Sequence, residues 1–142
     1  MNPDDDDNII RFPTFVRIEG EEPPTVIESV IRCYVLVNRE TAKVPLNDWA
    51  NASAARHAII KLTGLDPWRV GETFVGGVRI STVFLGIDHR HSGDGPPLLF
   101  ETMIFGGKLD HFQNRCSTWD GAEAMHAEAV EQVRRGHLRV VK

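Results

Sequence analysis

Side chains that could do chemistry are concentrated in one loop, DHRHSGDGPP (residues 88–97), which lies between two apolar runs. It holds two histidines and two aspartates, and a glutamate follows in the next apolar run. Such donors suit hard or borderline divalent ions, so a metal site would be built from Asp88, His89, His91 and Glu101. No second pair of donors has a recognised metal spacing. We therefore favour a loop that contacts a ligand or a partner, with Asp88 and His89 as its functional members.

A phosphate site is indicated at RCSTWD (residues 115–120), just before a predicted helix. The free N–H groups of a helix start can receive an anion, and the planar fork of Arg115 suits a phosphate. Ser117 followed three residues later by an acid is the capping-box pattern, which predicts a serine cap. Alternatively, Arg115 forms an ion pair with Asp110 or Asp120. The sequence contains neither a P-loop nor a dinucleotide-binding glycine motif.

No residue stands in a frame that activates a nucleophile, since none of the serines lies in G-x-S-x-G. Cys116 is next to the predicted helix start, where a thiol pKa can fall, although a small buried residue is its commoner role. Glu101 interrupts the apolar run LLFETMIF, so its carboxylate should pair with a cation, meet a ligand or face solvent at a sheet edge. These features are consistent with binding rather than turnover.

The elements that must position these residues follow from turn signals and hydrophobic periodicity. Residues 9–18 and 25–38 read as strands, and residues 74–87, interrupted by two glycines, pair with residues 98–105 over the polar loop. A first helix is predicted over residues 49–63, with Asn47 or Asp48 as N-cap and Gly64 at its end. Its apolar stripe is Ala55, Ile59 and Leu62.

A second helix is predicted from the STWD start to Arg135, with Gly136 stopping it. Its apolar side is formed by residues at helical spacing: Ala122, Met125, Ala129 and Val133. The two predicted helices begin with weakly similar segments, NDWANASAARHAII and STWDGAEAMHAEAV. If this similarity marks a repeat, the chain consists of two β-β-α units that share one sheet. The predicted fold is a compact α+β domain over residues 9–142, with an antiparallel sheet and two packed helices.

Charge is unevenly distributed along the 142 residues, whose formal net charge is −4. Residues 1–22 hold seven acids against two arginines, while the remainder has thirteen acids and fourteen bases. This predicts a flexible acidic leader over residues 1–8 and argues against general nucleic-acid binding, which requires a basic face. No apolar run reaches the roughly 20 residues of a membrane span, and no signal peptide is evident. A cytoplasmic protein with reduced cysteines is expected.

Three strings together carry a resemblance: TVFLGIDH (82–89), GPPLLFETMIFGG (95–107) and RCSTWDGAEAMH (115–126). They resemble small phage-encoded proteins, which we associate with the Thoeris anti-defence sponges that trap signals of the cyclic ADP-ribose type. The resemblance implies a homo-oligomer with pockets between protomers, where arginines hold phosphates and aromatic rings hold bases. The positions it carries over are Asp88, His89, Phe100, Glu101, Arg115 and Thr118. Cys116 departs from the aromatic residue expected there, and residues 1–70 do not match.

The expected function is therefore sequestration of a cyclic nucleotide immune signal in the cytoplasm of an infected bacterium, without a cofactor and without turnover. One alternative is a metal-dependent phosphohydrolase that degrades such a signal. Another is an inhibitor that grips a host protein through the polar loop.

Overall fold

The computed structural model describes residues 9–16, 25–90 and 95–141, with side chains over 31–90 and 95–136. The acidic leader predicted over residues 1–8 lies outside these ranges, as does His91. The described elements are β1 (Ile9–Val16), β2 (Thr25–Val37), β3 (Glu40–Val44), α1 (Leu46–Thr63), β4 (Arg69–Val75), β5 (Val78–Phe84), β6 (Phe100–Phe105), β7 (Gln113–Cys116) and α2 (Trp119–Val141). Within the described ranges, neither helix combines the length and apolarity that crossing a membrane would require.

The first sheet consists of β1, β2 and β3, paired antiparallel with β2 in the centre. A turn of only two residues, Asn38 and Arg39, joins β2 to β3, and both have positive φ angles, 52° and 68°. Such a backbone matches the twist of an antiparallel pair. Neither this turn nor β3 was predicted, because Asn-Arg lacks the glycine that usually marks a tight hairpin.

The second sheet consists of β4 to β7, each paired antiparallel with the next. The hairpin predicted over the polar loop is confirmed, with Phe84 of β5 opposite Phe100 of β6. Gly76 and Gly77 do not interrupt one strand. They form the turn between β4 and β5, with φ angles of 52° and 83°, because two glycines adopt positive φ at little steric cost.

The two sheets meet at the segment that follows β5. Cys33 of β2 pairs with Ile87, and the amide of Tyr34 donates to the carbonyl of Gly86 at 2.7 Å. The amide of Asp88 donates to the carbonyl of Arg32 at 3.1 Å. β2 therefore holds the entrance of the polar loop in place.

α2 covers one face of the second sheet. Its predicted apolar side is confirmed, since Ala122, Met125, Ala129 and Val133 are all buried. Two predictions for its ends are wrong. The helix starts at Trp119, so that Thr118 caps it in place of Ser117, and it continues past Gly136 to Val141. Gly136 does not have a positive φ, so it lacks the left-handed conformation by which a glycine ends a helix.

α1 ends as predicted at Gly64, which is left-handed and donates its amide to the carbonyl of Ile60 at 2.8 Å. Its start was predicted incorrectly, because the N-cap position is Pro45, which makes no side-chain capping bond, and Asn47 and Asp48 lie inside the first turn. The predicted stripe also faces outward. Ile59 is 41% and Leu62 85% exposed, and no α1 residue is fully buried.

A polar and aromatic contact helps to hold α1 against the rest of the protein. The guanidinium of Arg56 donates two hydrogen bonds to Asp66, at 2.8 and 2.5 Å, and its Cζ lies 4.7 Å from the ring centroid of Trp68. Burial by itself would raise the pKa of Asp66, but the bonds from Arg56 and from the Trp68 amide outweigh it and hold that pKa below its ordinary value. The ion pair adds to the apolar packing of Trp49 and Ala52, the residues of α1 that lie against the core.

These elements confirm the α+β class. Each helix follows a set of antiparallel strands, β1–β3 before α1 and β4–β7 before α2. The strands divide between two sheets, whereas the sequence predicted one shared sheet.

Candidate functional site

Asp88 binds together the two sides of the polar loop. Its Oδ1 accepts the amides of Arg90 and Leu98, both at 2.9 Å. The amide of His89 donates to the carbonyl of Leu98 at 3.1 Å, and the guanidinium of Arg90 donates to the carbonyl of Pro96 at 3.0 Å. At least one carboxylate oxygen of Asp88 therefore has a structural task.

The alternative metal set is only partly described, because His91 lies outside the described residues. Over residues 31–90 and 95–136, no group of three or more His, Cys, Asp and Glu side chains is arranged to hold a metal ion. Glu101 accepts a hydrogen bond from Gln113 and one from Arg115, so its carboxylate is directed along the sheet. The four-residue metal site stays a prediction.

Glu101 and Arg115 are brought together by strand register. They lie opposite each other on β6 and β7, and the guanidinium Nε of Arg115 donates to the Glu101 carboxylate at 2.9 Å. Side chains alternate between the faces of a strand, and Phe100 and Thr102 are fully buried beneath α2. Glu101 and Arg115 therefore lie on the face of the sheet that α2 does not cover.

Phe100 lies in the core and has no exposed surface. Its ring is 5.3 Å from Phe84 and 6.2 Å from Trp119, the latter at an interplanar angle of 89°. Phe100 supports the partly exposed indole of Trp119 from below, so any effect it has on a ligand is exerted through Trp119.

Thr118 caps α2. Its hydroxyl accepts the amide of Gly121 at 3.0 Å, and its carbonyl accepts the amide of Ala122 at 2.9 Å. The thiol of Cys116 contacts the same carbonyl at 3.6 Å. Burial raises the pKa of the Cys116 thiol and outweighs that contact, which disfavours the thiolate a nucleophile would need.

Three residues at the start of α2 form a group that sequence reasoning missed, which we name the Arg39–Trp119 clamp (Arg39, Trp119 and Glu123). The Arg39 guanidinium lies 5.2 Å from the centroid of the Trp119 ring and 4.0 Å from the carboxylate of Glu123. The Trp119 indole N–H donates to Glu123 one helical turn away. The side chains of Arg39 and Glu123 are 72% and 55% exposed, so the clamp is open to solvent.

A chain of hydrogen bonds links α2 to the middle of the second sheet. The two ring nitrogens of His126 lie 2.8 Å from the hydroxyl of Thr73 and 2.7 Å from that of Thr82. The hydroxyls of Thr82 and Thr102 are 2.5 Å apart, and both residues are fully buried. The ring lies against Gly71, where a Cβ would approach it to 3.0 Å. Burial lowers the pKa of His126.

The residues carried over by resemblance are thus distributed over four places. Asp88 and His89 lie at the base of the loop, Phe100 in the core, Glu101 and Arg115 on the face of the sheet away from α2, and Thr118 at the start of α2. Comparison of the chain with protein-family models, with curated proteins and with solved structures finds no match in any of the three.

Proposed function

We propose that the protein binds a phosphate-bearing nucleotide signal of the cyclic ADP-ribose type at the Arg39–Trp119 clamp and releases it unchanged. The stacking of Arg39 on Trp119 at the first turn of α2 carries this proposal. In this role the protein would act as a homo-oligomer in the cytoplasm of an infected bacterium and remove the signal from its receptor.

The clamp has the groups that recognise a nucleobase. Any base has a π-face that can stack on the indole of Trp119, which Phe100 holds edge-on from below. The carboxylate of Glu123 can accept N–H groups of the base edge. Because Arg39 stands at a hairpin tip and is largely exposed, its guanidinium can move aside and cover the base from the other face.

The same end of α2 can receive the phosphates. Thr118 accepts the amides of Gly121 and Ala122, while the amides of Trp119 and Asp120 have no acceptor within the described part of the chain. Unpaired amides at a helix start favour an anion. The carboxylate of Asp120 opposes this, so the positive charge of Arg39 is needed to balance it.

Binding and conversion are separated by one experiment. The purified protein is titrated calorimetrically with cyclic ADP-ribose isomers and with cyclic oligonucleotides, in EDTA and then in Mg²⁺ or Mn²⁺. The complex is heat-denatured and the released nucleotide is identified by chromatography. Intact ligand supports the proposal. Product that forms only with metal would establish the phosphohydrolase instead. If no nucleotide binds and the protein captures a host protein, the inhibitor is favoured.

A matched pair of variants tests the site itself. Trp119→Ala should weaken binding at least about tenfold, because a stacked base is lost. Phe74→Ala removes an aromatic ring that is 65% exposed on β4 and should leave affinity unchanged. Equal affinity for both variants and the parent protein would contradict the assignment to the clamp.

A further inference from the structure

A groove of about 400 Å³ lies at one end of the second sheet, beside Gln132, Val133 and Gly136 of α2. The glycine turn between β4 and β5 and the turn Gly106-Gly107 after β6 form two of its sides, and the helix forms the third. Its walls are apolar, with Val78, Leu109 and Val133 as the main side chains. Its size is that of a small-molecule site.

Gly136 keeps this groove open. It lies inside α2, does not have a positive φ, and a Cβ placed on it would meet no atom within 4 Å. Neither backbone conformation nor crowding within the protein therefore requires a glycine here, although glycine is a poor helix former. What the missing side chain provides is space, because Gly136 lines the groove.

Two polar side chains that line the groove have no partner in the part of the chain whose side chains are described. Lys108 has no ion-pair partner and Gln132 no hydrogen-bond partner among the described residues. The neighbouring acid, Asp110, accepts the amide of Gly106 at 2.8 Å and lies 3.3 Å from His111. An apolar groove with a free ammonium group at its edge is complementary to an apolar molecule that carries one negative charge.

We propose that this groove binds a small apolar carboxylate, with the hydrocarbon against Val78 and Val133 and the carboxylate on Lys108. The site is separate from the Arg39–Trp119 clamp. Gly136 lies seventeen positions after Trp119, which corresponds to about 25 Å along α2. The proposal therefore does not depend on the proposed nucleotide function.

Decanoate is the probe, with decanol and decyltrimethylammonium as charge controls, each titrated calorimetrically into the full chain. We expect saturable binding of one decanoate per chain, at least tenfold tighter than that of the cationic analogue. Gly136→Leu fills the groove and should abolish decanoate binding while raising Tm, because leucine is the better helix former. Ala127→Leu places the same side chain at an exposed α2 position away from the groove, and it should change neither Tm nor decanoate affinity appreciably.

A charge variant tests the role of Lys108. Lys108→Glu should reduce decanoate affinity at least fivefold and improve that of decyltrimethylammonium. The proposal is overturned if decanoate does not bind, if the cation binds equally well to the parent protein, or if binding continues well beyond one molecule per chain. Decanoate binding to Gly136→Leu at the parent affinity would also overturn it. If Gly136→Leu changes the oligomeric state and leaves decanoate affinity intact, the groove is an interface with a second copy of the chain and the proposal is again overturned.

Discussion

His126 and Thr82 join helix α2 to the second sheet through a hydrogen bond of 2.7 Å between the ring Nδ1 and the threonine hydroxyl. The pair is the inner part of a chain that runs from Thr73 through His126 and Thr82 to Thr102. Neutral imidazole supplies one donor and one acceptor, and hydroxyl groups can satisfy both. The described residues place no carboxylate in contact with the ring, so a protonated His126 would carry an unpaired charge into the interior.

Acid should therefore weaken the fold through His126. Burial lowers its folded-state pKa below the ordinary value of 6.5, so below that value the unfolded chain binds more protons than the folded one. The free energy of unfolding should lose nothing through His126 above about pH 7.5. It should fall as pH drops through 6.5, by up to about 1.4 kcal/mol per pH unit. Urea unfolding from about pH 7.5 to about pH 5 should show this slope, and His126→Gln should remove it.

Exposed histidines supply the control, since His57→Gln and His111→Gln should retain the slope. A direct NMR titration of His126 at or above its ordinary pKa would contradict the prediction even if the Gln variant does not fold.

The two buried threonines should differ in their contributions to stability. Thr102→Val removes one hydrogen bond and should cost about 1 kcal/mol. Thr82→Val leaves both His126 and Thr102 without their shared partner and should cost about 2–3 kcal/mol. Chemical denaturation at neutral pH measures both values, and a Thr102 variant that costs more than the Thr82 variant would rule out this arrangement.

Two left-handed glycines should respond differently to alanine. Gly64 (φ 73°) has open space at the Cβ position, so Gly64→Ala should cost about 1 kcal/mol of backbone strain. Gly86 (φ 77°) would place its Cβ 2.4 Å from the indole nitrogen of Trp49, so Gly86→Ala should cost about 2–4 kcal/mol. Equal costs by thermal denaturation would mean that Trp49 does not pack against Gly86.

Arg56→Lys should destabilise the attachment of α1. Lysine cannot form the two-pronged bond to Asp66 or cover the Trp68 ring as a planar guanidinium does, and the loss should be about 1–2 kcal/mol. Lys61→Arg, at an exposed position of the same helix, is the reverse exchange and should change stability little. If Arg56→Lys does not change the stability, the apolar contacts of Trp49 are sufficient to hold α1.

Periodicity predicted α2 well, because four apolar residues at helical spacing face one sheet. The same reasoning put the stripe of α1 on the wrong side. Spacing indicates that a helix has an apolar face but not which way that face points, and here Trp49, Ala52 and Arg56 are the α1 residues that face inward. Gly136 was misread as a stop because a glycine that ends a helix and one that leaves space beside it look the same in sequence.

The candidate site could not have been found from local sequence. Arg39 and Trp119 are eighty positions apart and meet because an unrecognised turn brings the β2–β3 tip to the start of α2. A tryptophan directly after a helix cap suits core packing as well as stacking on a base, so Trp119 by itself does not identify the site. Glu101 and Arg115 were both named, and their pairing follows from a β6–β7 register that no short motif encodes.

The junction between the two sheets carries its own reporter. Cys33 is fully buried where β2 meets Ile87, whereas Cys116 is partly accessible. A thiol reagent should modify Cys116 in the native protein and reach Cys33 only when the sheets separate. In a Cys116→Ser background, the rate at which Cys33 is alkylated measures how often that junction opens, before the chain as a whole unfolds.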